Sequence, residues 1–113
     1  MEQEKKKDII DRHSKKRAIL IDEDVLFNSG CQDYMHELID IAEISDYYDC
    51  IILTKNNKKV QKYVEHWSLH ALVYPRYKYY DEMKKTYRFL LLFCTKKNIK
   101  HMKDYYKCEI LMR

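Results

Sequence analysis

A single glycine and a single proline occur in the 113 residues of this chain. With one glycine there is no glycine-rich phosphate loop, which excludes a P-loop and a dinucleotide-binding fingerprint. The same scarcity predicts that tight turns with positive φ are rare and that connections are short and helix-rich. Long apolar runs are missing too. None approaches the ~20 residues that span a bilayer, so no membrane partner is expected. The charged N-terminus has no apolar signal core, which argues against secretion. The four cysteines, Cys31, Cys50, Cys94 and Cys108, form no CxxC and have no nearby CxxH partner. Thiolate metal ligation therefore lacks its usual spacing. They read as reduced, partly buried thiols of an intracellular protein, cytoplasmic or nuclear. Three Phe and one Trp stand beside eleven Tyr, so most aromatic surface carries a polar handle.

What is present suffices for one domain with one core, since 46% of the residues are hydrophobic. The net charge of +4 is unevenly spread: residues 1–17 carry +3, residues 18–75 carry −6 and residues 76–113 carry +7. An acidic stretch followed by a basic one predicts a metal or cation site in the first and an anionic partner for the second.

Residues 1–16 have little apolar periodicity and read as a charged arm ahead of a domain at 17–113. Ala18–Ile21 is a buried strand ending in acids, Asn28-Ser29-Gly30 a turn, and 32–44 a helix with Met35, Leu38, Ile39 and Ala42 on one face. A second strand follows at 50–54. A helix at 56–66 turns Val60, Tyr63, Val64 and Trp67 inward, and a third strand at 69–74 stops at Pro75. A short helix at 78–86, a strand at 88–94, a helix at 96–106 with Thr95 as N-cap, and a strand at 108–112 complete the series. Alternating strands and helices predict an α/β fold, a three-layer sandwich with about five parallel strands. In such sheets the site lies at the C-terminal strand ends. That edge would collect Asp22, Asp24, Thr54, Tyr74, Cys94 and Thr95.

Asp22 and Asp24, two residues apart at a strand end, repel each other and stay ionised most easily beside a cation or a hydrogen-bond donor. A hard divalent ion such as Mg²⁺ suits oxygen ligands of this kind, and Thr54 offers a hydroxyl to a phosphate or carboxylate oxygen. The alternative is that both acids cap the turn that follows.

Ala-Ile-Leu-Ile-Asp22-Glu-Asp24-Val-Leu-Phe resembles the first motif of the haloacid dehalogenase-like (HAD) phosphohydrolase superfamily, a strand ending in Asp-x-Asp. Cys-Ile-Ile-Leu-Thr54-Lys-Asn resembles its second motif. Phe-Leu-Leu-Leu-Phe-Cys94-Thr95-Lys-Lys-Asn98 resembles the surroundings of its fourth. The resemblance implies a Rossmannoid fold, Asp22 as nucleophile, Asp24 as general acid and base, and Asp22 with Asp24 at a Mg²⁺ ion. Thr54 would bind the phosphoryl group, helped by a third-motif lysine for which Lys78, Lys84 and Lys85 are candidates. With 29 residues between Asp24 and Thr54, no cap domain fits, and capless members act on macromolecules, which makes a phosphorylated macromolecule the implied substrate. The chain also departs from the pattern. Val25 follows Asp24 where the family usually has Gly-Thr, and Cys94 and Asn98 stand where the fourth motif supplies acids. These departures predict a weak Mg²⁺-dependent phosphatase or a pseudoenzyme, because phosphoryl transfer depends on charge neutralisation.

Two other classes compete. The same opening resembles PIN-type nucleases, with Glu37 or Asp40 joining a metal site. The second alternative is a binding module without chemistry. Lys96, Lys100, Lys103 and Lys107 recur at i, i+4, i+7 and i+11, a stripe suited to RNA, a ribonucleoprotein or an acidic protein surface.

Overall fold

The computed structural model describes residues 15–28, 30–46, 48–107 and the backbone of 109–112. The apolar runs become strands: β1 Lys16–Asp22, β2 Tyr48–Thr54, β3 Ala71–Pro75 and β4 Tyr87–Cys94, with the short β5 Glu109–Met112 paired to β4. All pairings are parallel and the order across the sheet is β3-β2-β1-β4-β5. β1 is therefore central, and Ala18 to Ile21 is apolar without interruption because both faces of the sheet are covered. Ile19 and Ile21 pack on one side with Cys50, Ile52 and Phe93, while Ala18 and Leu20 pack on the other with Ile51, Leu53, Leu92 and Cys94.

The helices supply the outer layers. α1 (Glu23–Leu26), α2 (Gln32–Ser45) and α3 (Asn57–His66) bring Val25, Leu26, Met35, Ile39, Ala42, Val60 and Val64 to the first side. α4 (Tyr80–Thr86) and α5 (Ile99–Tyr106) bring Met83, Met102 and Tyr106 to the second. None of the helices among the described residues is long and apolar enough to cross a membrane.

Several sequence expectations are corrected. α1, one turn at the end of β1, was not foreseen, since four residues leave no periodicity to read. Thr95 is not the N-cap of α5. Residues 95–98 form a turn closed by Asn98 N–H to Thr95 O (3.1 Å), and the helix starts at Ile99. α4 likewise starts at Tyr80, and β3 keeps Pro75 as its last residue. This is permissible because β3 lies at a sheet edge. Trp67, placed inward from its spacing, is 51% exposed, because α3 ends one residue before it. Asn56 caps α3, its side-chain oxygen accepting from Lys59 N–H at 3.2 Å. Residues 1–14, Ser29 and Cys108, which the sequence reading assigned to an arm, a turn and a strand start, lie outside the described residues.

Positive φ is also commoner than the glycine count implies. Asp46, Ser68, Tyr77, Tyr79 and Lys107 adopt it, and Gly30 does not. Asp46 (φ 55°) and Lys107 (φ 52°) take the left-handed position that ends α2 and α5, which glycine usually occupies. Replacing the exposed Asp46 by glycine should therefore stabilise the fold by a few tenths to about 1 kcal/mol. Urea unfolding would register this as a higher midpoint, and an unchanged or lower midpoint would mean that Asp46 carries no strain.

Candidate functional site

β1 ends at Asp22, so Asp22, Glu23 and Asp24 follow one another at the centre of the C-terminal sheet edge, the last two in the first turn of α1. Asp22 is fully buried and Glu23 nearly so. Three adjacent carboxylates in such a place need compensation, because a buried unpaired charge is costly by several kcal/mol.

The compensation comes from Arg76. It follows Pro75 directly, and its backbone N–H donates to Thr54 O (2.9 Å), which holds the chain at the strand ends. Its side chain is 5% exposed. One terminal guanidinium nitrogen donates to Asp22 Oδ1, lies 3.1 Å from Asp24 Oδ2 and 3.9 Å from Glu23 Oε1. Asn98, from the turn after β4, donates its amide nitrogen to Asp22 Oδ2 and Asp24 Oδ2, both at 2.6 Å. Two carboxylate acceptors fix the orientation of that amide. Glu23 is satisfied by β2: Thr54 Oγ1 donates to Oε2 and Lys55 N–H to Oε1, each at 2.9 Å. Thr54 Oγ1 in turn accepts Asn56 N–H at 2.8 Å.

Asp22, Asp24, Thr54 and Asn98 thus meet where the sequence placed them. The lysines proposed for phosphate do not join them. Lys78, ahead of α4, is exposed, and so are Lys84 and Lys85, because α4 turns Met83 into the core and leaves its neighbours outside. Lys84 pairs with Asp81 (3.7 Å) and lies 5.4 Å above the Tyr80 ring. The cation at the site is Arg76, which the sequence reading missed. Its signal was its position, one residue beyond the proline that closes the third strand. Glu23 belongs to the acidic strand end that the sequence marks, but its bonds to Thr54 and Lys55 could not be read there, since they depend on α1. Glu37 and Asp40 are exposed on α2. Among the described residues there is no group of three or more His, Cys, Asp and Glu arranged to hold a metal ion. Lys96, Lys100, Lys103 and Lys107 are all exposed on α5 and its flanks.

The electrostatics follow from this packing. Burial pushes the Asp22 carboxyl above the ordinary aspartate range, although Asn98 and Arg76 oppose it. Asp24 is less enclosed. Burial works to raise it, but the Asn98 amide, Arg76 and Lys55 together hold it below that range. For Arg76, burial alone would lower the guanidinium, but Asp22 and Asp24 raise it instead. Cys94, beneath the site, is pushed up to about 11 by burial and by the charge of Asp22, so it is a neutral thiol and not a thiolate ligand.

The Mg²⁺ implied by the resemblance can be tested against these contacts. A divalent ion needs carboxylate oxygens with free lone pairs. Both Asp22 oxygens and Asp24 Oδ2 instead accept from Arg76 or Asn98. The residues as arranged do not fit the ion, since the position between the two carboxylates is filled by donors. A scan against protein-family models and searches of curated proteins and solved structures found no match to this chain.

Removing Arg76 leaves Asp22 buried without its counter-charge, so Arg76→Ala should cost about 3–5 kcal/mol, measurable by urea unfolding. A loss below ~1 kcal/mol would show that the pair contributes little. The two aspartates should also titrate in opposite directions in carboxyl NMR, Asp22 above and Asp24 below the ordinary value. Asp24 therefore adds stability that is complete above its unfolded-state pKa and is lost as pH falls through its lower folded value. Asp22 behaves oppositely: its contribution is present below its unfolded-state pKa and is lost as pH rises through its raised folded value. Asn98→Ala should raise both titrations, because the amide lowers each.

Proposed function

We propose that this chain is a capless HAD-like domain, a three-layer sandwich with about five parallel strands. Its acidic strand end has become an internal lock, and it acts by binding an RNA chain through its basic C-terminal half.

The observation that carries the non-catalytic part is the engagement of Asp22. An aspartate nucleophile must present a carboxylate oxygen in line with phosphorus at close range. Asp22 has no exposure, and its two oxygens are taken by Arg76 and Asn98. Thr54, the group for a phosphoryl oxygen, has its hydroxyl committed to Glu23. The binding part is supported by the basic C-terminal half, where Lys96, Lys100, Lys103 and Lys107 are exposed within a stretch of net charge +7. Only Lys100 and Lys103 lie on α5 itself, Lys96 preceding it and Lys107 ending it, so the four form no continuous helical stripe; exposed lysines grouped in this way still suit a phosphate backbone, with affinity driven by counterion release.

Wild type should show no Mg²⁺-dependent hydrolysis of an aryl phosphate. It should bind single-stranded RNA with an affinity that falls steeply with salt, and Lys100→Ala with Lys103→Ala should reduce the slope of log affinity against log salt by roughly 1–2. Turnover that needs Mg²⁺ and disappears in Asp22→Asn would contradict the lock. Absence of RNA binding at low salt would contradict the binding reading and leave an acidic protein surface as the partner to examine.

A further inference from the structure

The segment between β3 and α4 is unusual for what it displays. Arg76 points inward to the acids. The next residues, Tyr77 and Tyr79, adopt φ of 58° and 62°. A non-glycine residue held in the left-handed region costs on the order of 1–3 kcal/mol, and such residues cluster where a ligand is held. Tyr77 is fixed on the protein side: its N–H donates to Tyr106 Oη (2.9 Å), and its ring stacks on Tyr106 (centroids 6.3 Å, planes 25° apart). Tyr105 lies T-shaped to it, with ring centroids 5.5 Å apart and planes at 78°. Tyr77 still leaves 40% of its surface exposed, and Tyr79 leaves 55%. Beside Tyr77 an open cleft of about 420 Å³ is lined by Tyr77, His101, Asp104 and Tyr105.

The composition of this cleft is informative. Aromatic rings make up two of its four lining residues, and the other two are polar groups on α5. Exposed lysines flank each part in the chain: Lys78 follows Tyr77, Lys100 precedes His101 and Lys103 precedes Asp104. Partly exposed tyrosine rings with polar groups beside them, on a chain segment rich in exposed lysines, suit one unstacked base of a polynucleotide. A duplex keeps its base faces stacked internally and would leave the tyrosines unused. An acidic peptide would use the lysines but would bring no base to the exposed tyrosine surface or to the Asp104 carboxylate. A base carrying an exocyclic amine donates to that carboxylate, whereas uracil presents an acceptor there.

We propose that the Tyr77–Tyr105 cleft receives one unstacked base of a single-stranded polynucleotide, preferring a base with an exocyclic amine that donates to Asp104. The inference rests on the binding reading above and names the contact that gives it selectivity. Arg76 then has a second consequence, since its anchorage to Asp22 holds the strained loop that presents Tyr77.

The test is fluorescence anisotropy with labelled oligo(rC), oligo(rU) and oligo(dC) of about ten nucleotides, with inorganic polyphosphate as an anion lacking bases. Oligo(rC) should bind several-fold more tightly than oligo(rU), and Asp104→Ala should remove that difference. Tyr77→Leu and Tyr105→Leu should each weaken oligo(rC) by about tenfold, as expected for one stacked base, leave polyphosphate unchanged and melt near wild type. Tyr77→Phe should retain binding. Equal affinity for oligo(dC) would assign recognition to the base alone, and weaker binding of oligo(dC) would add the ribose; either supports the cleft. If the lysine double variant weakens oligo(rC) while both tyrosine variants bind normally, the basic face stands and the cleft is overturned. Equal losses for oligo(rC) and polyphosphate in both tyrosine variants would also overturn it, since the rings would then be structural. Failure of wild type to bind any of these anions would remove the binding reading itself.

Discussion

The guanidinium of Arg76 ties the ends of two strands together and, with Asn98, reaches a third. It links the end of β3 to Asp22 on β1 and to Asp24 on α1, while Asn98 brings the turn after β4 to the same carboxylates. Separating Arg76 from Asp22 would leave a charge where water does not compensate it, so the ends of β1 and β3 are coupled. Glu23 extends the network to β2 through Thr54 and Lys55. The C-terminal edge is thus closed from within, by side chains of the same domain.

This closure divides the charge of the chain into two parts with different fates. Of the acids in residues 18–75, Asp22, Glu23 and Asp24 are consumed by internal donors. The lysines of α5 and its flanks remain in solvent. The field presented outward on that side is therefore more positive than the near balance of the sequence indicates, and an anion is the partner it favours. The tyrosines of this half have the matching property. Tyr106 is buried and supports Tyr77, which keeps part of its surface in solvent beside the cleft.

Much of the fold was legible because it depends on runs and periods. Ala18–Ile21 and Cys50–Thr54 had to be strands covered on both faces, and Met35, Ile39 and Ala42 had to share a helix face. The acids at the end of β1 and the proximity of Thr54 followed from strand direction alone. What the sequence concealed depends on single residues whose meaning is set by distant ones. Arg76 lies 54 positions from Asp22, and no local pattern announces that pairing. α1 is too short to show a period. Positive φ at Asp46, Tyr77, Tyr79 and Lys107 was hidden because the chain uses other residues where glycine is customary, accepting strain that tertiary contacts hold in place.

The decisive quantity is whether the acidic strand end has a cation site left to offer. Titrating Mn²⁺ into the protein and following the free-ion signal by electron paramagnetic resonance measures this without reference to any reaction. With Arg76 and Asn98 in place, wild type should leave the free Mn²⁺ signal at its protein-free intensity, matching Asp22→Asn. Stoichiometric loss of that signal in wild type, abolished by Asp22→Asn, would show that the carboxylates belong to a metal and that the internal lock is wrong.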